Sequence, residues 1–292
     1  MHSTMKSITA VLGILLASSS WCQAATPSVP GLFAVFNTHH GTFTCQLYFE
    51  RAPRTVANFV SLVEGSRPWV DFKNATVATE PFYHQTTFHR VIKGFMIQGG
   101  SRDGTGTDGP GYRFRDEIHQ DLKHHRAGIL SMAKTAQPHT NGSQFFVTLA
   151  PTPWLDGIHS VFGAVIEGQA VVDQVGASDT DPRDRPLEPQ RLQSIEIIRR
   201  GNDAQRFATQ SLNQGLPRLR GVPLAVVRQG SDFKLEWAAL ENHSYHAFFS
   251  ADFETWGVQT LGALGSVSIE SFIRNSHSHF FLFIESEPDL AP

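Results

Sequence analysis

The chain has 292 residues, enough for one or two domains with a sizeable buried core. With 40% hydrophobic and 17% charged residues it has an ordinary globular make-up, and a net charge of −3 gives no reason to expect nucleic acid or an anionic membrane as partner. The 22 Phe against 4 Tyr suit a tightly packed β interior, where a ring without a hydroxyl needs no hydrogen-bond partner.

Residues 1 to about 25 carry the three parts of a secretory signal peptide. Lys6 supplies the positive start, residues 8–17 the short apolar core, and Cys22-Gln23-Ala24 the small cleavage positions. Cleavage is expected after Ala24, with Ala25 as the alternative, which places the protein in the periplasm or outside the cell. The apolar core is too short to span a bilayer and no later stretch reaches ~20 apolar residues, so no stable membrane insertion is expected. Cys22 raises lipid attachment as a rival, but Trp21 stands where that cleavage takes a small residue. If Cys22 leaves with the signal, Cys45 alone remains, no internal disulfide forms, and Cys45 reads as a small core residue.

Residues 33–37 and 42–49 alternate around the polar turn His39-His40-Gly41 and predict a hairpin. Pro53 opens a helix with Val56, Phe59, Val60 and Val63 on one face, and Gly65 closes it. Residues 66–80 are polar and mixed and predict a surface loop; strands are expected at 81–82 and 86–98. In FHRVIKGFMIQGG (88–100), alternation sends His89, Val91 and Lys93 to one face and Arg90 and Ile92 to the other. Gly94 breaks the pattern, which Phe95, Met96, Ile97 and Gln98 resume. A guanidinium beside an apolar surface, with an amide nearby and no nucleophile, suits holding a neutral carbonyl-bearing ligand better than attacking it.

Residues 104–109 satisfy G-x-G-x-x-G, but Pro110-Gly111 follows and no helix opens, so a dinucleotide site fails its context test. Further strands are expected at 129–133, 144–149, 161–166 and 191–199, a second helix at 170–175, and a loop rich in Asp, Arg and Pro at 179–190. The pairs His39-His40, His124-His125 and His277…His279 lack accompanying ligands at a recognisable spacing, so no metal is expected. Asn141-Gly142-Ser143 is a glycosylation sequon in form only. Polar residues 201–220, with Phe207, Ala208 and Leu212 at helical spacing, read as a linker with a short helix. Strand-like runs at 224–228, 233–237, 245–250, 266–273 and 280–285 then make a second all-β unit.

FHRVIKGFMIQGG together with SMAKTAQPHTNGSQFFVTLAPTPWLDGIHSVFG (131–163) resembles the cyclophilin-type peptidyl-prolyl cis/trans isomerases, over roughly residues 31–200. The end of the chain (FKLEW, SYHAFFSADFETW, HFFLFIES) is more loosely similar to small fibronectin-III-like sandwich repeats of secreted bacterial proteins. The expected fold class is therefore mainly β: a closed eight-stranded antiparallel barrel capped by two helices, plus a small C-terminal β-sandwich. The expected organisation is a signal peptide (1–24), an isomerase domain (31–200), a linker (201–220) and the sandwich (221–292). The implied activity is rotation of X–Pro bonds in proline-containing peptides and unfolded proteins, without a cofactor.

The resemblance implies a role for each matching position. Arg90 becomes the catalytic, electrostatic element, offering one donor to the substrate carbonyl and another to the prolyl nitrogen. Phe95, Met96, Phe146 and Leu155 form the proline pocket, with His159 at its edge and no general base required. Gln98 and Gln144 hold the substrate backbone and orient the arginine. Ala133 and Lys134 pair with the peptide through main-chain groups; Lys134 stands where Asn is usual, and its charge favours acidic peptides. Trp154 matches the indole that contacts cyclosporin in sensitive members, so cyclosporin binding is expected. Gly104, with Thr105 and Gly106, lines the neighbouring subsite. Ser101 replaces a usual Asp, which removes one local ion pair.

Taken alone, Arg90 reads as a surface ion pair with Asp116 or Glu117, and the apolar residues as plain core. Two rival functions follow: a non-catalytic folding chaperone, or an extracellular binding scaffold. In the second, Trp237, Tyr245 and Trp256 form an exposed aromatic patch, against the reading that they anchor the sandwich core.

Overall fold

The computed structural model describes residues 27–210, 215–222, 225–230, 232–240, 243–250, 256–261, 266–268 and 280–286. The signal-peptide segment, Cys22 and both cleavage positions lie outside these residues.

Strands β1 (Gly31–Thr38) and β2 (Gly41–Leu47) form the first hairpin. Register places Leu32 opposite Leu47, Ala34 opposite Cys45 and Phe36 opposite Phe43. Because side chains alternate, these six share one face, and all are buried in the main core. Burial pushes the Cys45 thiol far above its usual pKa, so it stays protonated.

One antiparallel sheet runs in the order β5 (Thr86–Phe88), β11 (Gln190–Arg200), β1, β2, β10 (Val161–Glu167), β8 (Ile129–Met132), β9 (Phe145–Thr148), β7 (Met96–Gly99) and β6 (Arg90–Ile92). It has nine strands where eight were expected, because the run 86–92 is interrupted at His89. Before the break the chain pairs with β11; after it, with β7. The two outermost strands are thus consecutive in sequence, and the sheet curls into a nearly closed barrel.

Helices α1 (Pro53–Glu64) and α2 (Gln169–Gly176) add apolar faces to that core. Phe59 of α1 meets the rings of Phe36, Tyr83, Phe145 and Phe162 at 5.2–6.0 Å. Each such buried ring contributes about 1.5–3 kcal/mol. Ala52 gives α1 no side-chain cap. Glu117 does so from a distance, accepting the Arg54 and Thr55 N–H groups at 3.1 and 2.7 Å, where the helix dipole favours an anion.

Two sequence expectations fail here. Residues 81–82 belong to a turn, not a strand. Residues 66–80 hold a second hairpin, β3 (Trp69–Asp71) and β4 (Thr76–Ala78), with Trp69 and Val70 buried. The Asp71 carboxylate accepts the Lys73 and Asn74 N–H groups, which makes the tight turn between the two strands.

Helix α3 (Asn202–Gln210) buries Ala204 and Phe207 on the barrel, with Phe207 5.3 Å from the Phe49 ring. The first half of the expected linker is therefore anchored. Beyond it lie β12 (Leu219–Gly221), β13 (Ala225–Gln229), β14 (Asp232–Glu236), β15 (Ser244–Ser250), β16 (Trp256–Leu261), β17 (Ser266–Ser268) and β18 (Phe280–Ser286). They make two antiparallel sheets, β12-β18-β15-β16 and β13-β14-β17. Trp237 and Tyr245 are buried with rings 5.5 Å apart, so they are core residues and not a surface patch; the Trp256 side chain lies outside what is described.

Candidate active site

One row of cross-strand neighbours builds the site. Arg90 on β6 lies opposite Gln98 on β7, Gln98 opposite Phe146 on β9, and Phe146 opposite Ser131 on β8. Directly paired residues leave the same side of a sheet, so this row shares one face, and Met96, two residues from Gln98, joins it. The alternate row, Val91, Ile97, Val147 and Leu130, fills the barrel interior. The site is thus a groove on the outer wall of the barrel, with the core as its rigid backing.

The groove has a volume of about 1240 Å³. Arg90, Phe95, Met96, Gln98, Ala133, Lys134, Gln144, Phe146, Leu155 and His159 all line it. Met96 and Phe146 form its buried apolar floor, at 2% and 4% exposure. Gly104 and Trp154 do not line it. Gly104 packs near the Thr87 hydroxyl, while its neighbour Gly106 reaches the groove. Trp154 stands 63% exposed on the rim, its ring 6.0 Å from that of Phe95.

The Arg90 guanidinium donates from Nε and Nη2 to one oxygen of Asp184, at 3.1 and 3.0 Å. Of its five N–H donors the other three have no hydrogen-bond partner among the described residues. Asp116 and Glu117, the partners suggested by sequence, are occupied elsewhere. Asp116 binds Asn141 and Lys134, and Glu117 caps α1. Lys134 is therefore unavailable as a free cation: its ammonium lies 3.5 Å from Asp116 and its side chain is only 5% exposed. Arg183 and Arg185 line a second, more polar cavity on the other flank of Arg90.

Gln98 Nε2 donates to Gln144 Oε1 at 2.9 Å, and Gln144 Nε2 donates to the carbonyls of Gly106 and Asp108. The two amides thus tie β7 to the Gly-rich loop. Ser101, in place of the usual Asp, holds that loop from below. Its hydroxyl bonds Asp103 and Asp108 and accepts the Gly106 N–H. Ser101 thus ties the two ends of the loop together through hydrogen bonds.

His159 sits edge-on to Phe146 and donates Nδ1–H to the Met132 carbonyl at 2.9 Å. Burial lowers its pKa, opposed by that hydrogen bond. The ring is neutral at pH 7, and its second nitrogen is an acceptor. Behind Phe146 lies a network that sequence reasoning missed. The buried His124 ring stacks on Phe146 and bridges Asp156 Oδ1 (3.0 Å) and Ser131 Oγ (3.1 Å). With His124 and Ser131 fully buried, this carboxylate–imidazole–hydroxyl chain has no access to substrate; it fixes the turn carrying Leu155 and His159 against the floor.

Among the described residues no cysteine lines the groove, and the slot around Arg90 and Phe146 sets no hydroxyl against a histidine. The arrangement offers an apolar slot, oriented amides and a fixed cation with spare donors. Comparison with known proteins agrees with that chemistry. Residues 33–197 match the family model of the cyclophilin type peptidyl-prolyl cis-trans isomerases. Peptidyl-prolyl cis-trans isomerase B of Streptomyces anulatus is 47% identical over 169 residues, covering 57% of this chain and 96% of the relative. Peptidyl-prolyl cis-trans isomerase A of Mycobacterium tuberculosis is 45% identical over 179 residues, covering 60% of this chain and 98% of the relative. A solved cyclophilin type isomerase of Cryptosporidium parvum superposes with a TM-score of 0.51 at 33% identity, covering 58% of this chain and 98% of that one. The same protein has been solved in the presence of the dipeptide Ala-Pro. The chain belongs to the cyclophilin-type peptidyl-prolyl cis/trans isomerase family.

Proposed function

We propose that the groove accelerates X–Pro rotation by binding the twisted amide more tightly than either planar isomer, with Arg90 as its electrostatic element. The uncatalysed barrier is ~18–20 kcal/mol because rotation breaks amide resonance. Losing resonance returns a lone pair to the prolyl nitrogen and lengthens the demand for a donor there. A guanidinium with three unused N–H groups meets that demand only in the twisted state, which is the condition for catalysis. Phe95, Met96, Phe146 and Leu155 grip the proline ring while the preceding residue turns. Gln98, Gln144, Ala133 and Lys134 hold the flanking backbone, and His159 shapes the slot. A reduction of the barrier by about 5–7 kcal/mol speeds the reaction about 10⁴- to 10⁵-fold.

The observation that carries this reading is the common face of Arg90, Gln98 and Phe146, which sets the cation beside the apolar floor. It is tested by following cis/trans exchange in a proline tetrapeptide, with a Pro→Ala peptide as binding control. Catalysed exchange with selective binding of the proline peptide supports it; no exchange at micromolar protein rejects it.

The N-terminal pattern around Ala24 supports export, and hence clients among unfolded proteins in the periplasm or outside the cell. The exposed Trp154 indole beside Phe95 supports cyclosporin as a ligand, through its N–H and ring face. We read residues 31–200 as the isomerase domain and 221–292 as a separate β module.

A further inference from the structure

The C-terminal module is not remote from the groove. His246 on β15 donates Nε2–H to the carbonyl of Gly111 at 2.7 Å and accepts the hydroxyl of Thr260 on β16 at 3.1 Å through Nδ1. Phe72, in the turn of the β3–β4 hairpin, stands edge-on to the His246 ring at 5.4 Å and 5.9 Å from that of Phe248. Val70, Ala75 and Phe248 form a buried cluster between hairpin and module. Gly111 takes φ +87°, and a Cβ there would lie 2.2 Å from Val70 Cγ2, so backbone and hairpin are pressed together at this point. The Val70 N–H closes the contact on the Pro110 carbonyl at 3.0 Å. Module and hairpin thus hold residues 110–111, which directly follow the Gly-rich loop. Phe72, His246 and Thr260 line the same groove as Arg90 and Phe146. His246 and Thr260 lie beyond the span of the family match.

We propose that the C-terminal module supplies an additional binding wall for the isomerase substrate. One flank of an extended, proline-containing polypeptide leaves the ring slot across the Gly-rich loop and lies against Phe72, His246 and Thr260. The proposal rests on the groove being the substrate site. The chemistry selects an apolar, unfolded segment. Phe72 offers a ring, and both His246 nitrogens are spent on Gly111 and Thr260. Burial lowers the His246 pKa, so that ring is neutral at pH 7, and the charge on this stretch of the groove comes from Arg113 beside it and Arg115. The Thr260 oxygen, having donated its proton to His246, keeps lone pairs for a substrate N–H. A ring and a neutral imidazole continuous with a proline slot suit the exposed apolar stretches of a chain that has not folded, with Arg113 and Arg115 as the cations at their side.

The test uses the full chain and three peptides: a proline tetrapeptide, and the same core extended by eight residues on one side or the other, about 26 Å when extended. Catalysed exchange is measured for wild type, Phe72→Ala and Thr260→Arg. One of the two long peptides is expected to be turned over about tenfold more efficiently than the tetrapeptide, and both variants are expected to erase that advantage. In wild type, a nitroxide on the far end of that peptide is expected to broaden the amide signals of His246 and Thr260. Equal efficiency for all three peptides, with broadening confined to the barrel, overturns the proposal even if either variant fails to fold. Absence of turnover of the tetrapeptide itself would instead overturn the isomerase reading beneath it.

Discussion

Arg90 and Asp184 lie 94 residues apart in sequence and meet in a two-donor ion pair, Nε and Nη2 on Oδ2. Asp184 is itself held: its carbonyl accepts the Val91 N–H at 2.8 Å and its N–H donates to the Asp181 carbonyl at 3.0 Å. The pair is 45% and 39% exposed, a setting in which ion pairs contribute about 1 kcal/mol or less. Its value is orientation. The carboxylate fixes the plane of the guanidinium by holding two of its five N–H donors.

Asp184→Ala is therefore expected to change unfolding free energy by less than about 1 kcal/mol while lowering kcat about 3- to 10-fold with little change in KM. Asp184→Asn, which keeps an acceptor, is expected to recover part of the loss. Denaturant unfolding and steady-state exchange kinetics on both variants check this; an equal fall in binding would point to a structural role instead.

His89 gives the domain an acid-labile point. It is 8% exposed, and neither ring nitrogen has a hydrogen-bond partner among the described residues. Burial, then the charge of Arg185, pushes its pKa down to about 4. The unfolded ring titrates near 6.5, so between about 6.5 and 4 the unfolded state binds more protons. Stability from this group is complete above that window and falls as pH drops through it, by about 2–4 kcal/mol. His89→Asn is expected to flatten the slope of unfolding free energy against pH by about one proton, read from denaturant melts at pH 4–7.

Activity has a different pH signature. His159 is neutral at pH 7 because burial lowers its pKa, and no step needs it as a base. The pH profile of kcat/KM is expected to be flat from about pH 7 to 9 and to decline below the usual histidine range as the ring charges against the slot. A bell-shaped profile centred near neutrality would contradict a mechanism without proton transfer.

Asp156 holds both the backbone N–H and the ring of His124, at 2.8 and 3.0 Å. Asp156→Ala leaves buried donors unpaired and is expected to cost about 1–3 kcal/mol of stability. Kinetically it is expected to raise KM, because the turn bearing Leu155 and His159 loosens from Phe146. Ser131→Ala, at the other end of the chain, is expected to give a smaller effect in the same direction, measured by thermal unfolding and exchange kinetics.

Trp154 stands on the rim and does not line the slot. Trp154→Phe is expected to weaken cyclosporin binding about tenfold while altering tetrapeptide turnover less than about threefold, since ring packing on Phe95 survives and the indole N–H does not. Fluorescence titration of both proteins measures it.

Much of the groove was legible because two long motifs carry it: alternation separated Arg90 from His89 and Val91, and the family resemblance supplied the roles of the other positions. Arg90, Met96 and Gln98 lie on adjoining strands, and a period of two assigns their common face once the strands are placed. Phe146 was assigned by the resemblance, and its place opposite Gln98 is a register that the fold supplies. Distant partners left no such trace. Asp184 comes from a loop whose position depends on how β11 closes the barrel, and His124 meets Asp156 and Ser131 only after three elements have packed. The residues 69–78 hairpin was hidden in a polar stretch, since Trp69 and Val70 are too short a run to signal a strand. The break at His89, which turns eight strands into nine, needs two different neighbours to be seen. Thr260 in the groove wall belongs to β16, a strand that composition did not announce.

The central claim is that Arg90 acts on the twisted amide and not on the ground state. Exchange spectroscopy on Arg90→Ala, with peptide affinity measured on the same sample, tests it most directly. The account predicts a dissociation constant within about fivefold of wild type and a catalysed exchange rate lower by about 100-fold or more, as for other single transition-state donors. Exchange at the wild-type rate, or a loss of rate matched by an equal loss of affinity, would contradict it.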